Sequence, residues 1–145
     1  MIVRPSNLYD PTPNVYSHAV RVGNMVHVAG QMAVGEGMRV VGGGDIEAQT
    51  RQVFANIAKI LAATGGGLAD IVNMSVFLKD MGDLRGSVTA RREVFGRDFP
   101  ASTAVQAAGF ADPAGLVEVS AVAVIGSGTP NKTSKPPHRL RLKSL

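Results

Sequence analysis

The chain has 145 residues and 45% hydrophobic content, an ordinary length and composition for one globular domain that builds its own core. Cysteine is absent, which excludes disulfides, thiol nucleophiles and thiolate metal sites. The net charge of +4 belongs to one end: five of the 15 basic residues (Lys132, Lys135, Arg139, Arg141 and Lys143) stand in a stretch without acids, and the body before them is close to neutral.

In chain order, Met1 to Ser6 lack the basic-then-apolar pattern of a secretory leader, so the cytoplasm is the expected compartment. Residues 18–22 and 25–29 are two β-prone runs rich in Val. Gly23-Asn24 between them suits positive φ and a tight turn, which predicts a hairpin. Beyond Gly30-Gln31, a looser stretch around Val40-Val41 leaves room for one further short strand. Gly42-Gly43-Gly44 then leads to Asp45, a predicted N-cap. From Ile46 to about Ala63, the residues Ile46, Val53, Phe54, Ile57, Ile60 and Leu61 recur at helical spacing until Gly65-Gly66-Gly67 ends the run.

Residues 71–79 alternate as a strand, with Val72, Met74, Val76 and Leu78 expected on one face. Asp83 is expected to cap a shorter helix carrying Leu84, Val88 and Phe95 and closed by Gly96. Two strands follow, over 103–108 and 116–125, the second with Val117, Val119, Ala121, Ala123 and Ile125 on one face. The order β-β-(β)-α-β-α-β-β indicates an α+β domain over residues 1–125, with two helices on one face of a mixed sheet. Leu116, Val122 and Val124 make the other face of the last strand apolar as well, and the expected cover is a second copy of the chain.

Residues 126–145 open with Gly, Ser and Pro and have little to bury, which predicts a flexible basic tail. Phosphate affinity needs clustered basic side chains on a surface, so nucleic acid is not an expected partner of the body. No apolar run nears the length of a membrane span, and no membrane contact is expected.

Few residues announce chemistry on their own. His18, His27 and His138 have no metal-ligand spacing and are read as structural or surface residues, so no metal site is expected. The two glycine triplets lack the lysine and the strand-to-helix order of a phosphate cradle. Glu118 is the sole charge in the last apolar strand and must be paired, solvated or held in a pocket. Tyr16, one of two tyrosines, stands just before the hairpin.

Four ordered segments carry a resemblance. They are Asn14-Val-Tyr-Ser-His-Ala-Val-Arg-Val-Gly-Asn24, Val28-Ala-Gly-Gln31, Asp45-Ile-Glu-Ala-Gln-Thr-Arg-Gln52 leading into Asn56, and Leu116-Val-Glu-Val-Ser-Ala-Val-Ala123. With Asp70 to Met81 as a further match, the chain resembles the RidA/YjgF family of reactive-intermediate deaminases, also described as endoribonuclease L-PSP-like, across 13–125. The resemblance implies a chorismate-mutase-like α+β fold, a homotrimer with three ligand clefts at subunit boundaries, and no cofactor. In deaminase members, water hydrolyses an imine derived from an amino acid, releasing ammonia and a 2-oxo acid.

Residue by residue, Tyr16 matches the family's cleft tyrosine and Glu118 the glutamate associated with the water, and these are the implied catalytic pair. Thr89 falls where the family has an asparagine, if the preceding loop is one residue longer. Ala29 stands where a serine is frequent before Gly30-Gln31, and Ala29 and Gly30 are assigned to the ligand cleft. The departure lies in Pro100-Ala101-Ser102-Thr103-Ala104, where deaminase members carry an arginine after Pro-Ala and this chain has Ser102. A serine hydroxyl supplies no charge for the two charge-assisted hydrogen bonds that an arginine gives a carboxylate. Ser102, Thr103 and the backbone at Ala104 are then expected to hold the ligand's polar end. By pattern, Arg91 and Arg92 on the second helix are the substitute cations, although a solvated helix face accounts for both.

The expected function is cofactor-independent hydrolysis or deamination of a small imine, enamine or related carbonyl compound that is not a simple 2-imino acid. The alternative is a non-catalytic trimer that binds a small ligand, and ribonuclease activity, attributed to some relatives, fits the neutral body less well.

Overall fold

Strand alternation and one helical crossover generate the architecture. The computed structural model describes residues 1–128. Its strands are β1 (Ile2–Val3), β2 (Ala19–Val22), β3 (Met25–Met32), β4 (Ile71–Leu78), β5 (Ala101–Gln106) and β6 (Val117–Val124), and its α-helices are α1 (Ile46–Ala62) and α2 (Leu84–Phe95). The six strands form one mixed sheet in the order β1-β2-β3-β6-β4-β5. Every pairing is antiparallel except β4 with β5, where a parallel pair requires a crossover and α2 supplies it.

The β2–β3 hairpin turns at Gly23-Asn24, with Gly23 at φ +58°. Asp45 caps α1 by accepting from the backbone N–H groups of Glu47 and Ala48. One face of α1 buries Val53, Phe54, Ile57, Ile60 and Leu61 against Val26, Val28, Val76, Val117 and Val119 of the sheet. Burying a side chain of this size is worth roughly 1.5–3 kcal/mol, so this layer holds the domain together. The opposite sheet face carries Val20, Val22 and Met25, all exposed, with half-buried Val122 and Val124 beside them. No layer of the described residues lies over it.

Several local expectations are corrected. Ile2–Val3 adds an edge strand to β2 that a two-residue segment gives no periodicity to reveal. The stretch around Val40 forms only an isolated bridge to Val34. The strand expected over 103–108 spans Ala101–Gln106, because its first residue follows Pro100 directly and pairs with Asn73. An irregularity between Ile71 and Asn73 turns Val72 outward to 41% exposure and leaves the inward place to Ile71. Asp83 makes no side-chain cap; Asp80 accepts from the N–H of Gly82 one turn earlier. On α2, Ser87 and Ala90 are fully buried and Leu84 and Phe95 pack half-buried against the core as expected, whereas Val88 is 38% exposed.

The expected tail begins at Gly126, yet the first three of its residues are tied down. The carboxylate of Asp70 accepts from the N–H groups of Gly126 and Gly128, each at 3.0 Å, and from that of Gly67 at 3.0 Å. Residues 129–145, including His138 and the basic stretch, lie outside the described residues. Burial alone would push the Asp70 carboxyl up, but the backbone donors outweigh it and hold it below its ordinary 3.8. Stability from this group is therefore present above about pH 3.8 and lost as the pH falls through the lower folded value. Asp70→Ala should lose on the order of 1–3 kcal/mol near neutrality and progressively less in acid, as measured by urea denaturation over a pH series.

Candidate active site

A bulge creates the site. Between Val28 and Gln31 the pairing of β3 with β6 shifts register, and Ala29 and Gly30 occupy the displaced stretch. The buried Gln31 amide fastens it by donating to the carbonyls of Ala29 (3.1 Å) and Gly30 (3.3 Å). Beside the bulge, Glu118 on β6 leaves the core face used by Val117 and Val119 and stands on the open face, half-buried. Its carboxylate lies over Gly30 so closely that any Cβ there would collide with it. Glycine at position 30 is thus the condition for this carboxylate pose.

Tyr16 closes the other side. His18, buried just before β2, has its Nε2 2.8 Å from the carbonyl oxygen of Tyr9, so this nitrogen carries the hydrogen and donates. Both Tyr9 and Tyr16 pack edge-on to its ring. The two tyrosine hydroxyls hydrogen-bond to each other. Burial pushes the Tyr9 phenol well up, aided by Tyr16 and by the negative charge of Glu118, so Tyr9 stays protonated. Tyr9, Tyr16, Ala29, Gly30, Met38 and Glu118 share the lining of one cavity of about 590 Å³. Asn14 and Asp112 complete its polar rim, and among the described residues no lysine or arginine lines it. With burial the sole resolved cause, the Glu118 carboxyl is pushed above its ordinary value.

The remaining predicted residues sit elsewhere. Ser102 is paired with Met74 and Ala104 with Val76, which places both on the helix side of the sheet, while Thr103 points to the open side. All three lie on β5, an edge strand separated from β6 by β4. The Thr89 hydroxyl turns back to the carbonyl of Arg85 on its own helix. Arg91 is half-buried, and its Nη1 donates to Ser102 Oγ at 3.2 Å, whereas Arg92 is exposed over the ring of Phe99. The solvated-face reading therefore fits Arg92 and not Arg91. Within one chain, Tyr16, Ala29, Gly30 and Glu118 converge; Ser102, Thr103, Ala104 and Thr89 do not join them. Tyr9, Asn14, Met38 and Asp112 were not anticipated, and the only available signal was the scarcity of tyrosine.

A sequence profile described as Endoribonuclease L-PSP matches residues 9–125. The chain belongs to the RidA/YjgF family. A RutC family protein of Pyrococcus horikoshii is 38% identical over 108 residues, covering 74% of this chain and 85% of that one. The 3-aminoacrylate deaminase RutC of Acinetobacter baylyi is 36% identical over 108 residues, with coverage of 74% and 85%. A 2-iminobutanoate/2-iminopropanoate deaminase of Dermatophagoides farinae is 30% identical over 110 residues, with coverage of 76% and 85%. Among solved structures, RidA of the Antarctic bacterium Psychrobacter sp. superposes with a TM-score of 0.72 at 37% identity, over 77% of this chain and 89% of that one. These likenesses place the mixed sheet and its two helices within a RidA/YjgF architecture.

Because the Glu118 carboxyl titrates above its ordinary 4.5, its ionisation costs the folded state, and that cost grows as the pH rises through the folded value. Glu118→Gln should melt above wild type at about pH 7 and converge with it below about pH 4.5, by thermal denaturation in matched buffers.

Proposed function

We propose that the protein is a cofactor-independent deaminase of small imines or enamines, working in clefts that copies of the chain form together. The observation that carries this reading is a half-buried Glu118 carboxylate beside Tyr16 in an open cavity, with no cation among the described residues that line it. The named deaminases among its relatives support a deaminase reading of that cavity.

The chemistry needs no redox step. Water adds to the carbon of the C=N bond while Glu118 takes one of its protons and passes it to the nitrogen. Glu118 then moves the proton of the carbinolamine hydroxyl to the amino group, the carbon–nitrogen bond breaks, ammonia leaves and a carbonyl compound remains. An enamine enters the same route after protonation at its β carbon. A carboxyl group raised towards neutrality is suited to taking and returning the proton. Tyr16, its hydroxyl held by protonated Tyr9, offers a fixed polar group at the cavity wall.

Ser102, Thr103, the backbone at Ala104 and Thr89 would meet the ligand from an adjoining copy. The apolar open face with Val20, Val22 and Met25 supports that assembly, with a homotrimer as its form, and the cytoplasm is the compartment the reading assumes.

Ammonia release from imines generated by an amino-acid oxidase tests the proposal. Wild type should accelerate release, and Glu118→Gln should lower kcat/KM by about 10²–10⁴-fold. Gly30→Ala should fall in the same direction while keeping its fold, because its methyl displaces only the end of the Glu118 side chain. Equal rates for Glu118→Gln and wild type would remove the role of Glu118. Ligand binding with no acceleration in any variant would favour the non-catalytic alternative.

A further inference from the structure

The cavity around Glu118 poses a charge problem. Iminobutanoate, iminopropanoate and aminoacrylate, named for two of the relatives, are carboxylates. Here the cavity is rimmed by Asp112 and Glu118, with no cation among the described residues of the chain that line it, so the described cavity alone would repel such ligands. The expectation that simple 2-imino acids are poor substrates rests on Ser102 lacking charge. The environment of Ser102 removes that ground.

Arg91 lies on α2, the crossover helix leading into β5, and its guanidinium crosses to the edge strand. Nε donates to the carbonyl of Ser87 at 3.4 Å and Nη1 to Ser102 Oγ at 3.2 Å. Among the described residues Arg91 has no carboxylate partner, whereas Arg51 is bound to both Glu47 and Glu93. A half-buried guanidinium with two anchored nitrogens keeps Nη2 and one Nη1 hydrogen available for an anion. Ser102, accepting from Arg91, keeps its own hydroxyl hydrogen to donate alongside. Burial pushes the Arg91 guanidinium down from its ordinary value, and no carboxylate among the described residues offsets it.

We propose that Arg91, acting with Ser102, holds the carboxylate of the substrate, so that this chain selects anionic imines or enamines although the edge strand itself carries no arginine. The proposal rests on the deaminase reading above and names its substrate class. Strand register dictates a second chain. Ser102 points to the helix side of the sheet, and Glu118, paired through Phe77 with Val105, points to the open side with β4 between their strands. One chain cannot present both to a molecule as small as an imino acid. An edge strand docked against another copy's open face brings Arg91 of one chain to Glu118 of the next.

The test compares hydrolysis of the imine of an amino acid with that of the corresponding neutral amino-acid amide. Arg91→Gln retains hydrogen-bonding capacity towards Ser102 and loses the charge. It should lower kcat/KM for the carboxylate substrate by about 10–100-fold, mostly through KM, with little change for the amide. Adding Ser102→Arg to Arg91→Gln should recover the preference. Co-expressed Glu118→Gln and Arg91→Gln chains should form mixed oligomers whose kcat/KM for the carboxylate substrate exceeds that of either variant alone. Equal losses on both substrates would mean that Arg91 only braces α2, and no loss would mean that it is idle; either result overturns the proposal, as does the absence of that gain in the mixed oligomers for its two-chain form. If wild type hydrolyses no imine, the deaminase reading fails separately. Calorimetric binding of 2-oxobutanoate then decides: binding lost in Arg91→Gln sustains the carboxylate site, and binding unchanged or absent in wild type overturns it.

Discussion

A carboxylate half-withdrawn from water, with no positive charge among the described residues lining its cavity, is the constraint around which this molecule is arranged. The Glu118 carboxylate holds its present pose only because position 30 in the bulge of β3 is glycine, since a Cβ there would occupy its space. The bulge and the glycine solve a steric problem, and burial of the carboxylate without a cation among the described lining residues creates an electrostatic one. Desolvating a carboxylate costs free energy that a salt bridge would return. A fold that keeps the cost without the return retains a group poised to hold a proton.

The tyrosine pair follows from the same constraint. Tyr9 and Tyr16 share a hydroxyl hydrogen bond at the cavity wall and lean on the buried ring of His18, whose Nε2 is committed to the Tyr9 carbonyl. Negative charge on Glu118 makes phenolate formation at Tyr9 less favourable, so the carboxylate and the protonated phenol support each other's states. Histidine here works as scaffolding, setting where two hydroxyls meet.

The elements that repeat were legible in the sequence and the singular ones were not. The β2–β3 hairpin, α1 with its Asp45 cap and the alternation of β6 each repeat a period several times, so one misleading residue does not erase the signal. Val72 and Val88 read inward by hydrophobicity and point outward, because one register irregularity or one rotation about a helix axis reverses a single position. Within the site, Glu118 and Tyr16 were visible through chemical isolation and resemblance. Tyr9 and the Arg91–Ser102 contact depend on loop and helix placement over distances that no local spacing encodes.

Moving a cation from a strand to the adjoining helix is not chemically neutral. An arginine on β5 would project from a backbone fixed by its neighbour β4, whereas Arg91 reaches the same edge from α2 and is steadied by two hydrogen bonds along the way. Those bonds restrict its rotamers in advance, so less entropy is lost when an anion arrives, but they also occupy donors that a bidentate grip would use. The Ser102 hydroxyl replaces one of the missing donors at lower charge. In the proposed site, discrimination for a carboxylate would thus rest on one charged contact and one neutral one, and would weaken with added salt more gently than a purely ionic clamp because part of it is directional hydrogen bonding in a partly buried place. The serine at position 102 would then be the component that allows the helix-borne arginine to serve the edge of the sheet.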